Sequence, residues 1–269
     1  RDDKVVAAWN GWAIAALAEA GMVLGRPEWV EHARLAAEHV WSAHWVDERL
    51  RRTSRDGRPS AAPAVAEDHA ALAHGLGVLA QATGDPVWLG RAEQLLILLD
   101  EHFAAEDGGL YDTADDAEQL YARPRDLAEN ATPSGASAAL MAYRLHARLT
   151  GLQRWTDRAN AISATTTELL RRAPRAAGWP LFDAITERGR GPVEVAVLGS
   201  GPVAEELIKS AWRHAPAGST VIGVPEPVPG FAVLEGKSAI NGQPTAYVCQ
   251  DFTCQRPVHT LDGLVEQLS

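Results

Sequence analysis

Gly25-Arg26-Pro27-Glu28-Trp29, Gly84-Asp85-Pro86-Val87-Trp88 and Gly151-Leu152-Gln153-Arg154-Trp155 are three copies of one pattern, set 59 and 67 residues apart. A small residue follows each Trp at the same spacing, giving the trios Gly25, Trp29, Ala33; Gly84, Trp88, Ala92; and Gly151, Trp155, Ala159. Recurrence of three positions in three copies marks an internal structural repeat. Each Gly closes a helical run, as in Trp12–Leu17, Ala70–Leu76 and Ala138–Tyr143. It therefore suits a helix C-cap, where the chain needs positive φ. After the Gly, Pro27 and Pro86 suit the first turn of a new helix, and Trp88, Ala92, Leu95, Leu96 and Leu99 form an apolar stripe at helical spacing. Each unit reads as helix, tight turn, helix, and residues 4–172 as six helices in three antiparallel hairpins. The recurring Trp reads as packing at the turn.

Outward from the hairpins, residues 47–65 and 106–131 are rich in Gly, Pro, Asp and Arg and exceed the usual connection of about 4–6 residues. They read as long loops on one face, the place where function tends to sit. Past Pro174 the pattern changes. Val193–Leu198 and Ser219–Val224 read as strands flanking a helix from Val203 to His214, a β-α-β order that implies a parallel pair. A strand at Thr245–Cys249 and a helix at Leu261–Leu268 complete the chain. The expected fold is mainly α: a partial α/α hairpin toroid of three hairpins over residues 1–174, with a small α/β subdomain over 175–269.

The 269 residues, 46% hydrophobic and 22% charged, are enough for a sizeable core. A net charge of −10 opposes capture of nucleic acid or anionic lipid. There is no apolar run of membrane-spanning length, and Arg1-Asp2-Asp3-Lys4 is not a signal peptide, so a cytoplasmic location is expected. Two cysteines provide no disulfide framework. A start at Arg rather than Met, with only three hairpins, reads as the latter part of a longer chain. An unpartnered apolar helix face is then expected at each end of the hairpin array.

Comparison by register locates candidate chemistry. The starts of the three first helices carry Trp9 and Asn10, Glu67, Asp68 and His69, and Ser134, all at the end opposite the tight turns. Side-by-side hairpins would bring them to one rim, close to Tyr111, Asp112, Asp126, Glu129 and Asn130 of the second long loop. Carboxylates facing one pocket are the requirement of glycoside-type acid–base chemistry. Asp68, Glu67, Asp112 and Glu129 are the candidate acids and bases, with Trp9, Asn10, His69, Tyr111, Asn130 and Ser134 as candidate binding groups and Trp12 as a further stacking face. Helix capping is the competing reading: acids favour the positive end of a helix, and Thr132 with Pro133 can start the third hairpin. Cys249 and Cys254 form a C-x4-C pair, a candidate redox pair that lacks, even with His259, the four ligands of structural zinc. Gly199-Ser-Gly201 lacks the rest of a dinucleotide fingerprint. Neither a metal nor a cofactor is expected.

Asp2-Asp3-Lys4-Val5 with Ala8-Trp9-Asn10-Gly11, Glu67-Asp68-His69-Ala70, Asn130-Ala131-Thr132-Pro133-Ser134-Gly135, and Ala246-Tyr247-Val248-Cys249 with Phe252-Thr253-Cys254 resemble thioredoxin-domain-containing proteins of the spermatogenesis-associated type. The resemblance spans nearly the whole chain. It implies a helical toroid similar to N-acylglucosamine 2-epimerase and six-hairpin glycosidase folds, preceded in the parent by a thioredoxin-like region that would be a partner of this part. Glu129 and Ala136 stand where that family often has Asp and Asn. Two functions follow: a carbohydrate-active domain with a sugar-like ligand, or a non-catalytic binding or redox-partner module. Carboxylates opposed across an open pocket would favour the first, and acids that only cap helices the second.

Overall fold

The computed structural model describes residues 2–118, 121–188, 191–251 and 253–269; Arg1 and Phe252, quoted above, lie outside them. The hairpins are α1 (Ala7–Leu24) with α2 (Pro27–His44), α3 (Ala66–Thr83) with α4 (Pro86–His102), and α5 (Gly135–Thr150) with α6 (Gln153–Arg172). Gly25, Gly84 and Gly151 end the first helices at φ 66°, 67° and 66°, and their N–H groups donate to the carbonyls of Gly21, Ala80 and Ala147. Ala33, Ala92 and Ala159 are all buried, as are Trp88 and Trp155, whereas Trp29 is half-buried with Arg26 over its ring.

The first helices form an inner layer in which α3 packs between α1 and α5, and the second helices lie outside. Glycine makes the inner crossing possible. A β-carbon at Gly75 would sit 2.3 Å from the carbonyl oxygen of Gly11, and one at Gly11 would sit 2.4 Å from the carbonyl of Ala71. Around that contact Leu72, Leu76, Leu79, Leu95, Leu96, Leu99, Phe103, Tyr143 and Trp155 are fully buried. Each buried leucine contributes on the order of 1.5–3 kcal/mol.

Residues 47–65 are more ordered than the loop expected from composition. A ribbon of β2 (Trp45–Val46) and β3 (Arg49–Leu50) turns at Asp47 and Glu48, both with positive φ. A second sheet joins β1 (Val5–Val6), β4 (Thr53–Arg55) and β5 (Arg58–Pro59), its hairpin turning at Asp56-Gly57. This Asp-Gly pair is a hairpin signal that the compositional reading passed over. The third hairpin also differs from expectation. Its N-cap is Ser134, whose Oγ accepts the Ser137 N–H at 3.2 Å, and not Thr132. The serine stands three residues before an unpaired helix N–H, where a cap is required, and Pro133 stays in the loop.

After α6, a helix absent from the sequence expectation, α7 (Gly178–Arg188), packs on α5 and α6. Then β6 (Glu194–Leu198), α8 (Pro202–His214), β7 (Thr220–Val224), β8 (Thr245–Gln250), β9 (Thr253–Cys254) and α9 (Leu261–Leu268) build a sheet of order β7-β6-β8-β9, in which β6 and β7 are parallel and the other pairs antiparallel. Alternation divides the two faces of β6. Val195 and Val197 join Leu207, Ala211, Leu264 and Leu268, while Ala196 and Leu198 join the hairpin core.

The sheet and α8 cover the turn end of the hairpins. Val224 of β7 abuts Gly84, Lys209 of α8 lies against Gly25, and Arg213 donates to the Val23 carbonyl at 2.7 Å. Buried Gln81 of α3 accepts the Val221 N–H at 2.9 Å, satisfying one outward amide on the edge strand β7. The opposite end of the hairpins is left to the long loops. Apolar side chains are exposed on α1 (Trp9, Leu24) and on α7 (Trp179, Leu181, Phe182, Ile185). No helix among the described residues is long and apolar enough to cross a membrane.

Candidate functional site

The starts of α1, α3 and α5 meet at the end away from the tight turns, and Asp68 lies where α1 meets α3. It is fully buried; its Oδ1 accepts the Ala8 N–H at 3.2 Å and its Oδ2 the Val65 N–H at 3.0 Å. Val6, the N-cap of α1, has no side-chain acceptor of its own, so Asp68 caps α1 from 60 residues away as well as its own helix. Burial pushes its carboxyl above the usual carboxylate range, against the main-chain bonds and Arg52 Nη1 at 3.8 Å. The α5 start closes the junction: a β-carbon at Gly135 would lie 3.3 Å from the Glu67 nitrogen. The long loop joins through the Ala66 N–H, which donates to the Asp112 carbonyl at 3.0 Å.

The other candidates divide into engaged and open groups. Asn10 Nδ2 donates back to the Val6 carbonyl at 2.9 Å. Asp112 Oδ2 accepts the Asp126 N–H at 3.1 Å, and partial burial raises its carboxyl. Glu129 is taken up at the start of α7, where Oε2 accepts the Trp179 N–H at 2.9 Å and Oε1 is buried without a partner. Asn130 is exposed in the loop beside it. Tyr111 donates to Glu106 at 3.2 Å, and the Arg123 guanidinium covers its ring at 4.1 Å, which removes a stacking face. Trp12 packs against His74 with ring centres 5.6 Å apart. What stays open is Glu67, half-buried with no hydrogen bond or ion pair among the described residues, and Trp9, 64% exposed. His69 is buried with Nδ1 on the Val65 carbonyl and Nε2 without a partner, and burial brings its pKa down to about 4.

Two features lay outside the sequence reading. His102, Asp115 and Asp116 bring ligand-type atoms within 4.8 Å of one another. Arg49 pairs with Asp116 and lies 3.4 Å from His102 Nε2, so the chain supplies that cluster with its own cation. On the far side of α5, a hollow is lined by Arg144, Arg148, Thr156, Glu187, Glu194 and Gln250. Arg144 pairs with Asp183 at 2.9 Å and Arg148 with Glu187, so both arginines of the hollow are already engaged by acids of this chain. Only the long spacing of these residues along the chain hid the pairs. Cys249 and Cys254 are joined in a disulfide between β8 and β9.

No model of a known protein family matches the chain. Spermatogenesis-associated protein 20 of Rattus norvegicus is 34% identical over 186 residues, 64% of this chain and 23% of the rat protein. The Homo sapiens protein is 27% identical over 280 residues, 96% of this chain and 35% of its own length. Among solved structures, the helical part is similar to a sugar epimerase from a ruminal bacterium (TM-score 0.54, 18% identity, 64% of this chain and 46% of that one). It is also similar to cellobiose 2-epimerase from Bacillus thermoamylovorans B4167 (TM-score 0.52, 16% identity, 61% of this chain and 44% of that one). These likenesses show the fold: mainly α, an α/α toroid type of which the described residues hold three hairpins. In sequence the chain is thus similar to spermatogenesis-associated protein 20, and the matches span 23% to 35% of the length of these relatives.

Proposed function

We propose that the rim at the starts of α1, α3 and α5 binds a neutral, sugar-like ligand, and that it does so without a pair of catalytic carboxylates. The observation that carries this reading is the use of the acids. Asp68, Glu129 and Asp112 each accept main-chain N–H groups, which leaves Glu67 as the one candidate acid open among the described residues, where glycoside or epimerase chemistry calls for two. Trp9 and Glu67 flank the Ala8–Asp68 bond in sequence and stay open, one as a stacking face and the other as an acceptor for hydroxyl groups. The sugar-epimerase fold of the structural neighbours supports a carbohydrate over other polar ligands. A cytoplasmic location and a thioredoxin-like region as partner belong to the same reading.

The test is titration of the chain with cellobiose, followed by tryptophan fluorescence and ligand-observed NMR, with product analysis by chromatography. Millimolar binding is expected, weakened about tenfold by Trp9→Ala and by Glu67→Gln, a loss of about 1.4 kcal/mol each. Binding untouched by both substitutions would sink the assignment of the rim. Turnover abolished by Asp68→Asn at unchanged stability would instead restore acid–base catalysis.

A further inference from the structure

The Cys249–Cys254 disulfide has no evident task in holding the fold together. Its cysteines are five apart and face one another across β8 and β9, where the ladder already pairs Gln250 with Thr253 and the Gln255 N–H donates to the Val248 carbonyl at 2.9 Å. A crosslink restricts the unfolded chain least when the loop it closes is short, and here the sequence separation is 5. No other element is tethered by it. β9 is the outermost strand of the sheet, and Thr253, Cys254, Gln255 and Arg256 are all exposed, while Cys249 is buried at 2% exposure. The bond therefore joins an exposed residue to a buried one, and solvent meets it from the Cys254 side. Cys249 and Cys254 are the two cysteines of the 269 residues.

We propose that Cys249–Cys254 is a thiol–disulfide exchange site that takes two electrons from an external dithiol, with attack at Cys254 and release of Cys249. A thiolate of the dithiol forms a bond to Cys254 Sγ as the Cys249–Cys254 bond breaks, and its electron pair leaves on Cys249, which takes a proton. The second thiolate of the partner then attacks its own sulfur in the mixed disulfide and releases Cys254, which is protonated in turn. The partner leaves as a disulfide and the hairpin as a dithiol, with two electrons and two protons transferred. Exposure sets the direction of attack, since a nucleophile must approach in line with the bond it breaks. Exchange at this hairpin does not depend on sugar binding at the rim, and either can fail without the other.

The oxidised chain is treated with dithiothreitol under native conditions, quenched by alkylation and read by mass spectrometry, with circular dichroism and Tm on the same samples. Complete reduction with an unchanged spectrum is expected, with a fall in Tm of no more than about 3 °C. In single variants, Cys249→Ser is expected to form a mixed disulfide with glutathione disulfide at least about tenfold faster than Cys254→Ser, because only the first leaves an exposed thiol. Reduction that proceeds only as the chain unfolds, or a fall in Tm beyond about 10 °C, would make the bond a structural staple and overturn the proposal. Equal trapping of the two variants would overturn the direction of attack. If either variant fails to fold, the native-state reduction of the unmodified chain decides alone.

Discussion

The inner helices α1, α3 and α5 and the outer helices α2, α4 and α6 obey different rules although each pair arises from one repeat. In α3 the buried set includes Asp68, His69, Gly75 and Gln81, and nearly every side is covered. Outer α2 buries Ala33, Ala37, Val40, Ala43 and His44 and leaves Arg34 bonded to Glu31 and Glu38 in solvent. Where α1 and α3 cross, the inner layer thus tolerates neither added volume nor added charge, because the neighbouring atoms there are backbone. The outer layer is an ordinary amphipathic surface, where exposed ion pairs contribute about 0–1 kcal/mol.

Acid should separate the layers most strongly. Burial brings the pKa of His69 and His74 down to about 4 and that of His146 to about 3, from an ordinary 6.5. All three lie on inner helices. With a depressed folded-state pKa, each contributes stability that is complete above pH 6.5, where both states are neutral, and is lost as pH falls toward 4, where only the unfolded chain is protonated. The loss is about 1.4 kcal/mol per histidine for each pH unit, large against a total of about 5–15 kcal/mol. Asp68 works in the opposite sense, since its raised pKa lets the folded state take up a proton first. Urea midpoints measured from pH 7.5 to about pH 4.5 are expected to fall steeply. A flat profile would mean that the inner histidines are hydrated and the layers alike.

Volume is the next discriminator. Gly75→Val places carbon inside the carbonyl of Gly11 and is expected to cost about 4 kcal/mol or prevent folding, whereas Leu35→Ala on the exposed side of α2 should stay within about 0.5 kcal/mol. Similar thermal shifts for both would dissolve the distinction. The smallest effect concerns the junction at the rim: Asp68→Asn retains one acceptor where two main-chain N–H groups need one each, and should cost about 1–3 kcal/mol. An unchanged melting temperature would show that α1 does not depend on this side chain for its cap.

The same distinction explains what could be read in advance. The hairpins were legible because Gly25, Gly84 and Gly151 carry their conformational requirement in their identity, and Ala33, Ala92 and Ala159 in their size. The cap that Asp68 gives to α1 was not, since its partner is a backbone group 60 residues away and no local pattern encodes it. Glu129 misled for the same reason: the helix whose start it serves, α7, begins with Gly178-Trp179-Pro180, a sequence that reads as a break. Asp47 and Glu48 turn a ribbon without glycine, so their positive φ had no signal. Register along the repeat brought Asn10, Asp68 and Ser134 to notice as one group, but whether a carboxylate there is free or already bonded is a matter of tertiary contact.

Gln81 has one more consequence. A strand at the border of a sheet offers its outward amides to any extended chain that meets it, and β7 holds that position with an all but wholly apolar sequence, Thr-Val-Ile-Gly-Val. By laying α3 against that border and taking the Val221 N–H, the hairpins deny it to other molecules. A lesion that loosens α3 from the sheet would therefore do more than lower stability: it would bare an adhesive segment, and the visible outcome would be precipitation before loss of helix.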